Sequence, residues 1–260
     1  METKPKVFIV SAHAEAPKEL KSAAHWTKPF YLKILLALIL LLGFAGVLTY
    51  PRFDPDTAIR STIKINTVVY ENGQGTLVKS IGVLLSADGI IVTSFRNVDD
   101  ARYVWVQNSV GQTADATVVA ADSSTDLALL KIEGRNFSFV RLGNLGSLKT
   151  GETVHAIGSS GGLDFSYATG TVVGLNRQIS QTQQHLIQTD MPLSANCGGG
   201  PLFDRHGKLV GVSTAMWAAP EGSAFAVPVD LVRDLLEKYF SAEKSGDEVT
   251  IKSEAVLNNK

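Results

Sequence analysis

The sequence has little cysteine, little net charge and no internal repeat. Cys197 is the single cysteine, which excludes an internal disulfide and any cysteine-based zinc motif; one thiol fixes no redox compartment. The formal net charge is -1, so there is no basic excess of the kind that marks a nucleic-acid binder, and no block of like charge marks a tail. Five histidines, His13, His25, His155, His185 and His206, stand at no ligand spacing, so no metal or other cofactor is expected. Charged residues are 19% of the chain against 45% hydrophobic, a balance that suits a globular protein and excludes a largely disordered one.

A long run without polar side chains is present at 34–48, "ILLALILLLGFAGVL". Extended to Phe30 and Tyr50 it would span roughly 31 Å as a helix, about the thickness of a bilayer core. Tyr31 and Tyr50 stand where an aromatic belt would, and Lys33 is placed to snorkel. Lys4, Lys6, Lys18, Lys21, Lys28 and Lys33 outnumber Glu2, Glu15 and Glu19 on the N-terminal side. The positive-inside rule then puts residues 1–29 in the cytoplasm, a transmembrane helix at 30–50, and the rest in the periplasm or an equivalent lumen. A cleaved signal peptide is the competing reading, with Gly43 and Ala45 as a poor cleavage site behind a long leader.

Residues 51–60 read as a linker and 61–240 as the folded domain. Short apolar or alternating runs follow one another: "TVVY", "IGVLLS", "GIIVTS", "YVWVQ", "ATVVA", "LALLKI", then "TVHAIG", "GTVVGL", "HLIQTD", "KLVGVS" and "AFAVP". Ala87-Asp88-Gly89 and Arg205-His206-Gly207-Lys208 carry hairpin chemistry. Such a series without interleaved helices predicts an all-β sandwich or barrel. One helix is predicted near 230–240, capped by Asp230, with Leu231, Leu235 and Tyr239 on one face. The charged, turn-rich stretch 241–260 reads as a disordered tail.

Five segments in order carry a resemblance. "IGVLLSADGIIVTS", "ADSSTDLALLKI", "VHAIGSSGGLDFSYATGTVVGL", "QTDMPLSANCGGGPLFDRHGKLVGV" and "SAFAVPVDLVRDLL" resemble the trypsin-like peptidases, in particular their HtrA/Deg branch. The resemblance implies two six-stranded barrels with a cleft between them, without the PDZ domain common in that branch. It also implies a catalytic triad, which needs a nucleophile, a base to take its proton and an acid to orient the base, beside an oxyanion hole.

The family pattern T-N-x-H-V-V-x-x-A falls on Thr93 to Ala101, and Arg96 stands at the histidine. A guanidinium stays protonated and accepts no proton. Asp126, in "SSTD", falls at the aspartate, with a turn or cap role as the alternative; a bidentate Arg96–Asp126 pair is expected in place of the usual pair. The pattern T-D-A-P-I-N-P-G-N-S-G-G-P-L, laid without gaps on Thr189 to Leu202, puts Gly198 at the serine and Cys197 at the asparagine before it. A gapped alignment makes Cys197 the nucleophile instead, still without a base. Gly199, Gly200, Thr214, Ala215 and Met216 are the positions that resemblance assigns to ligand binding. The apolar run and the resemblance together imply a membrane-anchored pseudopeptidase that binds a peptide or protein in the inter-barrel cleft, without turnover, alone or in an oligomer with other HtrA-like proteins. Two alternatives stand beside it: a cysteine peptidase using Cys197, and a metal-binding or thiol-redox role.

Overall fold

The computed structural model describes residues 32–41, 53–71, 74–160, 163–179, 184–191, 197–214 and 222–245. The chain divides into two units, Met1–Tyr50 and Pro51–Lys260. Within the first, residues 32–41 form a helix, α1, with its side chains exposed. No helix among the described residues is long and apolar enough to cross a membrane; the remainder of the run expected to span at 30–50 lies outside them.

The second unit holds two barrels. The first contains β1 (Thr62–Glu71), β2 (Gln74–Leu84), β3 (Ile90–Ser94), β4 (Ala101–Gln107), β5 (Thr113–Asp122) and β6 (Leu127–Ile132), closed in the order β1-β2-β3-β6-β5-β4. The second contains β7 (Arg141–Leu142), β8 (Thr153–Ser160), β9 (Leu163–Arg177), β10 (Leu186–Thr189), β11 (Pro201–Phe203), β12 (Lys208–Ser213) and β13 (Ala224–Pro228). Their order is β11-β8-β9-β10-β13-β12-β7, and β11 pairs with β12, which closes six of the seven. The expected all-β double barrel is thus present.

Local chemistry explains the corners. Gly89 adopts φ +97°, and a Cβ there would sit 2.5 Å from the Ile132 carbonyl, so the β2–β3 hairpin needs glycine. Gly207 has φ +73° and donates to the Asp204 carbonyl at 3.0 Å, turning β11 into β12. Both turns stand where their sequence predicts them.

Three clusters of buried side chains hold the unit together. Ile63, Ile65, Ile91, Val106 and Leu130 fill the first barrel. Val154, Val172, Ile187, Leu202 and Val210 fill the second. The third draws on both barrels, through Val83, Val92, Leu127 and Leu129 on one side and Ile157, Phe203, Val212 and Val227 on the other. Burial of each such side chain stabilises by about 1.5–3 kcal/mol, so the third cluster fixes the two barrels against each other.

Two helices close over that cluster. α2 (Pro55–Ser61) begins at Pro55, with the Asp54 carboxylate accepting from the Asp56 N–H at 3.2 Å. Residues 51–60, expected to be a linker, therefore contain a capped helix whose Ala58 is buried in the inter-barrel cluster. α3 (Val229–Ser245) buries Val229, Val232 and Leu235 and packs Leu231 and Tyr239 against the same cluster. It runs five residues beyond the predicted end, and Asp230 lies in its first turn rather than capping it. Of the expected tail, 241–245 is helical, and 246–260 lies outside the described residues.

Candidate active site

Asp126 sits at the end of a turn, immediately before β6, with φ +58°. Aspartate tolerates this left-handed conformation better than most residues, and it points the carboxylate across the barrel interface. Only 3% of Asp126 is exposed. Ser94 Oγ donates to Oδ1 at 2.8 Å, the Arg96 N–H donates to the same oxygen at 3.2 Å, and Thr214 Oγ1 donates to Oδ2 at 2.7 Å. Three donors from two barrels thus hold one carboxylate. The Asp126 carbonyl accepts from the Phe95 N–H at 3.0 Å, which ties the turn to the segment carrying Arg96.

Arg96 lies in the short 3-10 turn Phe95–Asn97. Its closest guanidinium approach to Asp126 is Nε to Oδ1 at 3.7 Å, and its side chain is 52% exposed. The two form an ion pair, not the bidentate hydrogen-bonded pair expected from the sequence. Oδ1, the oxygen the guanidinium approaches, already accepts two shorter bonds, from Ser94 Oγ and the Arg96 N–H.

Asn97, next to Arg96, links the two barrels. Its Nδ2 donates to the Gly198 carbonyl at 2.9 Å and to Thr93 Oγ1 at 2.9 Å. Thr93 Oγ1 in turn donates to the Ile81 carbonyl at 2.8 Å. The Gly198 carbonyl also accepts from the Ile81 N–H at 3.4 Å. The peptide at Gly198 is therefore fixed to the first barrel on the same turn that presents Arg96.

Gly199 and Gly200 are buried. Their N–H groups donate to Ser213 O at 2.6 Å and Cys197 O at 2.9 Å. Gly199 has φ +86°, and a Cβ there would lie 2.2 Å from both Ile81 O and Thr93 Oγ1. In the structure these two glycines pack the barrel interface. Thr214, assigned with them, has its hydroxyl engaged on Asp126. Ala215 and Met216 lie outside the described residues.

Cys197 is 3% exposed and its Sγ donates to the Ser159 carbonyl at 3.2 Å. The sulfur lies so close to Gly158 that a Cβ there would come within 2.6 Å of it. The thiol thus faces β8. The histidines fall as their sequence positions suggest, His155 in β8, His185 immediately before β10 and His206 in the β11–β12 turn. His155 stacks on Phe53 at 4.1 Å between ring centroids, and its Nδ1 lies 2.8 Å from the Tyr167 hydroxyl. Burial holds its pKa below the usual imidazole range, against the opposite pull of Asp204. Among the described residues no three His, Cys, Asp or Glu side chains converge as a metal site would require.

Sequence reasoning passed over Ser94 and Asn97. Asn97 left a signal, because the family pattern places a valine there; an amide in an apolar position marks a hydrogen-bonding need. Ser94 left none, since its partner lies 32 positions away.

Comparison with known proteins fits this architecture. The family model "Trypsin-like peptidase domain" matches residues 81–212. A "Probable periplasmic serine endoprotease DegP-like" of Pseudomonas putida (strain GB-1) is 37% identical over 158 residues, 59% of this chain and 33% of that protein. A "Putative serine protease HhoB" of Synechocystis sp. is 32% identical over 179 residues, 67% of this chain and 42% of that one. The chain thus spans between a third and a half of the length of these relatives. Among solved structures, "HtrA-type protease AlgW with tripeptide" superposes with a TM-score of 0.65 at 28% identity, over 74% of this chain and 63% of that one. A family match over residues 81–212, on a closed double barrel with a C-terminal helix, places the chain among the trypsin-like peptidases, in their HtrA branch.

Proposed function

We propose that this chain is a membrane-anchored, HtrA-like pseudopeptidase that holds a peptide or protein segment in the cleft between its barrels without cleaving it. The observation that carries this reading is Arg96 beside Asp126: a permanently protonated group stands where a peptidase of this fold needs a proton acceptor. Gly198, which the gapless alignment puts at the nucleophile, has no side chain to attack with. The orienting acid and its hydroxyl supports are intact, so the cleft keeps its shape while lacking its chemistry. A chain of this kind retains binding, because substrate contacts and triad chemistry are separable.

The relatives are named as serine endoproteases, which keeps the peptidase alternative in view. The version that uses Cys197 is disfavoured by a thiol that is buried and bonded to β8. The absence of a converging ligand set among the described residues gives the metal-binding alternative no support. The periplasmic placement rests on the apolar run at 30–50, on the lysines before it, and on the periplasmic name of the Pseudomonas relative.

The test is equilibrium titration of the full chain, in detergent micelles, into a fluorescent unfolded peptide, with mass spectrometry of the peptide afterwards. Saturable binding and intact peptide are expected. Fragments whose formation stops on alkylation, or in Cys197→Ala, would establish the cysteine enzyme instead.

A further inference from the structure

The guanidinium of Arg96 makes no hydrogen bond among the described residues. Asp126 is its neighbour at 3.7 Å, yet every oxygen of that carboxylate is already engaged by Ser94, Thr214 and the Arg96 backbone. Guanidinium is a planar fork of five N–H donors. Here it is held near the cleft by a short turn whose other end, Asn97, is bonded to Gly198. The side chain is 52% exposed, so its donors are open to whatever enters. Asp99 and Asp100 follow on the same segment, but neither forms an ion pair with Arg96.

We propose that Arg96 is a ligand-binding residue, and that the cleft selects peptides carrying a carboxylate, which the guanidinium takes in the place where an active relative would act on the scissile bond. This rests on the peptide-binding reading above. Carboxylate suits the fork because two parallel N–H···O bonds form at once, a geometry that a neutral amide or a lysine partner does not reproduce. A bound peptide also removes water from the half-exposed guanidinium, which strengthens the pair.

Four matched peptides test it on the full chain by fluorescence anisotropy: one with a central Glu or Gln, each with a free or amidated C-terminus. The arms distinguish a side-chain carboxylate from a terminal one. The expected result is about tenfold tighter binding of a carboxylate peptide over its amide counterpart. The gap should close in Arg96→Met, remain in part in Arg96→Lys, and shrink as salt rises from about 0.05 to 0.5 M. The lysine variant and the salt series keep the test alive if the methionine variant misfolds. Equal binding of the four peptides by the unmodified chain, or an unchanged gap in Arg96→Met, overturns this inference and leaves peptide binding standing. Failure to bind any of the four overturns both.

Discussion

At Asp126 two oxygens meet three hydrogen-bond donors, and this decides how the residues around it respond to substitution. Asp126→Ala strips the acceptor from the Ser94 and Thr214 hydroxyls and from a backbone N–H inside the interface. Each orphaned buried donor costs about 1–3 kcal/mol, so a loss on the order of 3 kcal/mol is expected in urea unfolding. Arg96→Ala, by contrast, removes a half-exposed pair worth about 0–1 kcal/mol and leaves Asp126 its three hydrogen bonds. The bidentate pair expected from the sequence implies a larger cost for Arg96→Ala than the about 0–1 kcal/mol of a surface pair, because Asp126 would be left without its partner. His155 gives a second residue-scale prediction. Its folded pKa lies below its unfolded one, chiefly through burial, so the unfolded chain binds more protons between the two values. Stability from His155 is complete above about pH 6.5 and is lost as pH falls through the depressed value. A thermal midpoint that drops on acidification, and drops less in His155→Phe, is the expected outcome; the phenyl ring keeps a stacking surface for Phe53 but does not titrate.

At the scale of elements, the loop from Cys197 to Gly200 and the turn from Thr93 to Asn97 behave as one piece. Ile81 O, Thr93 Oγ1 and Asn97 Nδ2 surround the place where a Gly199 side chain would be. Gly199→Ala adds both a clash with backbone and a strained φ, so a loss of more than about 3 kcal/mol is expected, with soluble yield and denaturant midpoint as readouts. The same pairing shows what the sequence carries and what it does not. The hairpin turns at Gly89 and Gly207 are legible because glycine at positive φ is a local requirement. Helix α2 has its Asp54 cap and Pro55 in plain view, but seven residues are too few for a 3.6-residue period to emerge, and the stretch reads as linker. The bonds from Ser94 to Asp126 and from Asn97 to Gly198 join residues 32 and 101 positions apart. No local pattern encodes such partners; they depend on how the barrels dock.

Across the folded unit, an apolar cluster shared by the two barrels, α2 and α3 holds the barrels in the arrangement of a trypsin-like fold. The order of five segments made that arrangement legible, and the proposed loss of chemistry rests on the residues at two positions within it, Arg96 and Gly198. Removal of a triad elsewhere leaves about 10³–10⁴-fold acceleration over water from the remaining site, so a faint residual rate is compatible with the account. Single restorations are expected to be silent, because triad members act as a unit. Arg96→His alone lacks a nucleophile, and Gly198→Ser alone lacks a base. The most direct measurement is therefore the cleavage rate of an unfolded peptide by the unmodified full chain, by each single variant, and by Arg96→His/Gly198→Ser, beside an active HtrA-type peptidase. The account predicts near-background rates for the first three and a rise only in the double variant. Cleavage by the unmodified chain at a rate comparable to the active relative would contradict it.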